Sequence, residues 1–245
     1  MKKILRFLFS IILLGCNESN KSTEELKAPS NLETVKKPGQ NKLQYKIDFD
    51  STKVSKFTIE HSELTKSKAL AKKLSAYSSA ELNTLPEFKR LTLGIVIPYD
   101  ISKESLINTF KYLTNEKSKE NNDIDEIIIF AYDDKNDLIN SGGFYTFGKS
   151  FWGPNGKTGN VTPTIAEKNI RVFHEFQIHI KDKVGKIKKS DLPTKRELNI
   201  YNTIMAEENI GMDEDLLNHK VMKKYGIKTE KELKAIWLKV AAYKF

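Results

Sequence analysis

His174-Glu175-Phe176-Gln177-Ile178-His179 gathers two histidines and a glutamate within six residues, the ingredients of a zinc site. A zinc-protease helix needs its histidines four apart, so that both imidazoles meet one metal from one face. Here they stand five apart in a segment of strand period, which sends the rings to opposite faces. His174 falls on the apolar side and reads as a core histidine, and His179 reads as solvent-facing. Residues 153–158 end in Gly156-Lys157-Thr158, the tail of a phosphate-binding loop. That pattern requires glycine where Phe151 stands, and a helix directly after the loop. Gly159-Asn160-Val161-Thr162-Pro163 follows instead, which reads as a poor helix start, so the segment is expected to be a turn between strands. Asp133, Asp134 and Asp137 crowd one turn without the glycine and closing glutamate of a calcium loop. None of His61, His174, His179 and His219 sits in a recognisable nucleophile signature. The expectation is therefore no catalytic residue, no metal and no cofactor.

One segment invites contact rather than catalysis. Residues 142–154 set Phe144, Tyr145, Phe147, Phe151 and Trp152 among four glycines. Aromatic rings on a glycine-flexed loop can present a stacking or insertion surface to a sugar, a peptide or a partner. Tyr145, Phe151 and Trp152 are the candidate contact residues. The competing expectation is a strand and loop that fold Phe151 and Trp152 inward.

Location is written more clearly than activity. The single cysteine, Cys16, follows an apolar run of eight residues (7–14) and Gly15, after a basic start of Lys2, Lys3 and Arg6. A short apolar core behind basic residues, closed by a small residue, is the layout of a secretory signal. A membrane-spanning helix needs about 20 apolar residues, and Asn17-Glu18-Ser19-Asn20-Lys21 ends this run far sooner. Leu13-Leu14-Gly15-Cys16 resembles the lipobox of bacterial lipoproteins. The resemblance implies cleavage before Cys16, a diacylglyceryl thioether on its sulfur and a further acyl group, such as palmitate, on its amine. Asn17 after that cysteine suggests, by the same resemblance, the outer membrane if the organism has one, and otherwise the cell membrane.

That reading constrains the rest. With Cys16 lipidated, no disulfide can form within the chain, so the fold must hold by its core alone. Removing residues 1–15 takes away three basic groups and lowers the formal charge from +9 to +6. The remainder, 38 Lys and Arg against 32 Asp and Glu, is too mixed to indicate nucleic acid. It fits general attraction to anionic headgroups or cell-wall polymers. Residues 16–41 are polar, with few apolar side chains, and read as a flexible tether after the lipidated cysteine.

The elements that must position the candidate residues follow in two blocks, residues 42–190 and 191–245. In the first, residues 43–49 and 57–60 have strand period. Leu70, Leu74 and Tyr77 are spaced for one face of a helix over 66–77. Ser78 with Glu81 makes a capping box for a short turn stopped by Pro86. Residues 91–99 form a β-rich run. Ser102 caps a helix from Lys103 to about Asn115, whose Leu106, Phe110 and Leu113 line one face. Residues 127–132 read as a strand covered on both sides, 133–137 as a turn, 142–147 as a further strand and 169–181 as the longest strand. In the second block, Thr194 and Glu197 cap one helix, a second over 213–225 ends at Gly226, and Thr229 starts the last. The fold class is α+β, a small mixed sheet with helices on one face followed by a C-terminal helical hairpin.

Residues 90–165 look like an uncharacterised α/β domain of bacterial exported proteins. The likeness rests on Leu93-Gly94-Ile95-Val96-Ile97-Pro98, Ser102, residues 127–132 and Trp152, and it implies a fold without an activity. Residues 217–225, Gly226 and 231–240 are similar to a helix-turn-helix. Acidic Glu230 and Glu232 at the start of the would-be recognition helix, and Ile236 and Trp237 on its face, argue instead for a helical hairpin closing the domain. The expected role is a membrane-tethered, non-enzymatic binding or envelope-interaction protein with an envelope protein or polymer as partner. The alternative is an envelope hydrolase using a carboxylate or His174 as base.

Overall fold

The structure, a computed structural model, describes residues 45–140 and 144–244. Cys16 and the whole of the tether, residues 16–41, lie outside the described residues. So do the glycines Gly142 and Gly143 of the expected contact segment. The described residues belong to one compact unit spanning Leu32–Phe245.

Five strands form one mixed sheet whose spatial order repeats the sequence order. β1 (Thr58–Lys68) pairs antiparallel with β2 (Glu87–Val96), and β2 pairs parallel with β3 (Ile124–Tyr132). β4 (Gly148–Pro154) and β5 (His174–Ile180) continue the sheet antiparallel. A parallel pair needs a crossover, and α2 (Lys103–Glu120) supplies it between β2 and β3. Ser102 caps α2 by accepting from Ser105 N. Leu106, Phe110 and Leu113 are sealed in the core against Leu93, Ile95, Ile127 and Ile129. Each fully buried side chain of this kind stabilises the fold by about 1.5–3 kcal/mol. The opposite face is met by two short helices, α3 (Lys135–Asn140) and α4 (Pro163–Lys168). Leu138 of α3 lies so close over Gly94 that a Cβ there would stand 2.4 Å from it.

The C-terminal third carries α5 (Lys195–Ile204), α6 (Glu214–Tyr225) and α7 (Glu230–Lys244). Thr194 and Glu197 form the expected capping box, and Gly226 closes α6 in the left-handed conformation. Ile200, Val221, Ile227, Leu233 and Ile236 form a second core. Trp237 packs against Tyr201 of α5, with ring centroids 6.3 Å apart. No helix among the described residues is long and apolar enough to cross a membrane.

Several expectations are corrected. Residues 66–77 are not a helix: β1 runs to Lys68 because Ser67 and Lys68 pair with Phe88 and Glu87. Leu74 stays exposed, so a helix there would bury nothing, and only one 3-10 turn, Leu74–Ala76, forms. Just after it stands the short helix α1 expected from its Ser78–Glu81 box, at Ser79–Thr84. Residues 45–49 are irregular rather than a strand. The aromatic strand begins at Gly148, later than expected. Residues 135–140 form a helix where only a turn was expected. The strand predicted over 169–181 is confined to His174–Ile180. Thr162 and Pro163 do start a helix, with Thr162 as cap and proline in the first turn, where it fits. Asn169 ends α4 at φ +50°, so β5 cannot begin there.

Candidate binding cleft at the end of the sheet

Strand pairing decides the fate of the aromatic segment. β4 lies inside the sheet, its alternate residues point to opposite faces, and both faces are covered there. Trp152 stands opposite Ile127 and Phe176, and Phe151 opposite Ile128 and Gln177. Both are 1 % exposed. Phe151 and Trp152 are thus core residues on opposite faces, which corrects their nomination for contact. Tyr145, before β4, has a different position. It is half-buried, its hydroxyl bonds His179 Nδ1 at 2.8 Å, and Lys181 Nζ lies 5.2 Å from its ring centre.

Tyr145 lines a cleft of about 560 Å³ where the end of β3, the start of β4 and the end of β5 meet the C-terminal helices. The sheet side contributes Tyr145 and Thr146, with Asp137 from α3. The helical side contributes Tyr201, Met205 and Glu207. Lys181 and Lys244 place two ammonium groups along it. Phe144 and Met205, also in its lining, are 74 % and 54 % exposed. Apolar surface left open beside charged groups is the usual composition of a small-ligand site.

Beneath the cleft lies a buried polar cluster that ties α7 to the sheet. The Tyr243 hydroxyl donates to Asp133 Oδ2, and Thr146 Oγ1 donates to Asp133 Oδ1 at 3.3 Å. Lys244 pairs with Asp137, both side chains at most 15 % exposed. The Lys183 ammonium donates to the Tyr243 carbonyl and sits 5.1 Å from the Phe147 ring centre and 4.9 Å from that of Tyr243. Burial pushes Lys183 down to about 8, pushes the Asp133 carboxyl up and raises the Tyr243 phenol, which the bond to Asp133 raises further.

The histidines take the places expected of them. His174 is 1 % exposed, with its ring 4.4 Å from that of Trp152 and Nε2–H donating to the Asp125 carbonyl at 2.7 Å. Burial holds it down at about 4, so it stays neutral at ordinary pH. So enclosed, His174 cannot reach a substrate, which removes it as a hydrolytic base. His179 is exposed on the other face. Among the described residues, no group of three His, Cys, Asp or Glu side chains could hold a metal ion. The would-be phosphate loop is a turn, with Asn155 and Gly156 at positive φ and no helix until Pro163.

The sequence reading found Tyr145 but missed its neighbours. Asp137, Lys181, Tyr201, Glu207 and Lys244 come from five separate elements or junctions, and no spacing joins them. Comparison of the chain with protein-family models, with curated proteins and with solved structures returns no match.

Proposed function

We propose that this protein is an exported lipoprotein, acylated at Cys16, whose folded body binds a small organic ligand or a peptide end in the cleft without transforming it. The anchor reading rests on Leu13-Leu14-Gly15-Cys16 behind its short apolar run. One observation carries the binding reading: an open cleft of about 560 Å³ bordered by exposed Phe144 and Met205 beside charged side chains. Aromatic and thioether surface supplies contact area, and Lys181 and Glu207 offer one cation and one anion for orientation. Such a lining suits a compound with an apolar body and a polar or zwitterionic head.

The cleft also gathers two carboxylates, Asp137 and Glu207, which keeps a hydrolase as the second reading. Asp137 is held by Lys244, so Glu207 would have to act as the base.

Fatty-acid labelling tests the anchor: incorporation into the parent chain and none into Cys16→Ala supports it, and an unlabelled parent refutes it. A thermal-shift panel of amino acids, short peptides and sugars tests the cleft. A stabilising compound whose effect disappears in Phe144→Ala and Met205→Ala, and which is recovered intact, supports binding. Its breakdown by the parent but not by Glu207→Gln would favour the hydrolase instead.

A further inference from the structure

Charge is unevenly spread along this chain. Residues 181–196 hold seven basic side chains and two acidic ones, a net +5 of the chain's +9. Like charges held together repel unless something negative meets them.

The loop that carries most of them is pinned. Val184 is 1 % exposed within the main core, and Ile187 packs against that core. Two turns brace the loop, Val184 N to Lys181 O at 3.1 Å and Lys186 N to Lys183 O at 3.0 Å. Gly185, at φ +79°, allows the reversal between them. Two apolar pegs thus fix a loop whose Lys186, Lys188 and Lys189 stand exposed. Lys183, Lys186 and Lys239 also line a shallow groove of about 380 Å³ with Ile187, Ser190 and Asp191.

The nearby acids are largely occupied. Asp182 lies within 3.6 Å of Lys103, Asp191 accepts from the Lys188 backbone at 2.9 Å, and Glu197 holds Lys239 at 2.9 Å. Among the described residues, Lys186, Lys188 and Lys189 take part in no ion pair.

We infer that the lysine-rich loop of residues 183–189, with the groove beside it, is a docking surface for an anionic phospholipid bilayer. The inference rests on the proposed anchor at Cys16. The 28 residues between Cys16 and Tyr45 reach at most about 100 Å, so the loop stays within range of the bilayer that holds the acyl chains. The surface chemistry agrees. No aromatic ring stands between the exposed lysines to stack a nucleobase. Lysine ammonium groups suit the diffuse field of headgroups better than the bidentate contacts of base recognition. Three lysines near an anionic leaflet raise the membrane partition constant by about a hundredfold.

The test uses residues 32–245, which include the whole compact unit and lack Cys16, so that acylation plays no part. Sedimentation is measured at low salt with phosphatidylcholine vesicles and with vesicles containing about one-third phosphatidylglycerol. The expected result is retention on the anionic vesicles alone. Added salt should reverse it, and the Lys186→Gln/Lys188→Gln/Lys189→Gln variant, matched in circular dichroism and melting temperature, should weaken it by about a hundredfold. Equal retention on both vesicles, no retention, or retention indifferent to the triple substitution would overturn the inference. So would tighter binding to soluble polyphosphate than to the anionic vesicles, which would point to a polymer. A failure of Cys16 labelling removes the anchor and leaves the sedimentation result to be judged by itself.

Discussion

The two ends of β3 bury similar chemistry in different ways. At its start, Glu126 is fully enclosed, with Oε2 accepting from Arg90 at 2.7 Å and Oε1 from Gly159 N at 2.6 Å. Arg171 donates to the carbonyls of Ser118 and Ile124, and His174 lies against Trp152. At the other end, Asp133, Asp137, Lys183, Tyr243 and Lys244 bury as much charge but stand beside an open cleft. The contrast separates two uses of buried charge. The closed end holds backbone segments in register, and the open end both fastens α7 and gives one wall of a concave surface. A titratable group with a displaced pKa is thus no pointer to function without a path from solvent.

The sharpest way to break that contrast is Glu126→Ala. It strands Arg90 and should cost about 3–5 kcal/mol, read as a lower urea midpoint. A loss below about 1 kcal/mol would mean that the closed end is not organised by its charges. Next comes pH. His174 is held near 4 against an ordinary 6.5, so the unfolded chain takes up the proton first. Its contribution is present above about pH 6.5 and lost as the pH falls through 4. Asp125 runs the other way: burial lifts its carboxyl to about 6 from 3.8, so its contribution is present below pH 3.8 and lost as the pH rises through 6. His174→Leu removes one of these opposed slopes. Relative to the parent, the variant should gain about 3 kcal/mol between pH 6.5 and 4 in urea titrations. Parallel profiles would show that His174 is not buried neutral.

At the open end, Tyr243→Phe leaves Asp133 without its phenol donor and should cost about 1–2 kcal/mol. Amide exchange should quicken in α7 while β3 stays protected. Uniform acceleration across both would mean that the two ends are one cooperative structure. The smallest effect on stability belongs to Phe144→Ala, within about 0.5 kcal/mol because the ring is mostly in water. A larger loss would count against Phe144 as open contact surface.

Local chemistry was the legible part of this sequence. Ser102, the Ser78–Glu81 and Thr194–Glu197 boxes and Gly226 each name a helix end, because a cap is decided within four residues. The continuous apolar run of residues 127–132 marks an interior strand for the same reason. What failed depended on neighbours distant in sequence. Leu70, Leu74 and Tyr77 keep helical spacing, yet residues 66–68 pair with β2. Phe151 and Trp152 are glycine-flanked and look loop-like, yet they lie on an interior strand and are buried on opposite faces of the sheet. Residues 159–163 read as a poor helix start, yet Thr162 caps α4 and Pro163 fits its first turn, a local signal of the legible kind. The cleft was illegible in principle, since Tyr145 and Tyr201 meet only after sheet and helices have folded.

Because each strand lies beside the one made just before it, the sheet can assemble in the order of synthesis. As the chain is made amino-end first, every strand after β1 finds a neighbour already waiting. Growth at a single advancing edge keeps sticky intermediates brief. The hollow beside Tyr145 is then finished last, when the final turn of α7 arrives.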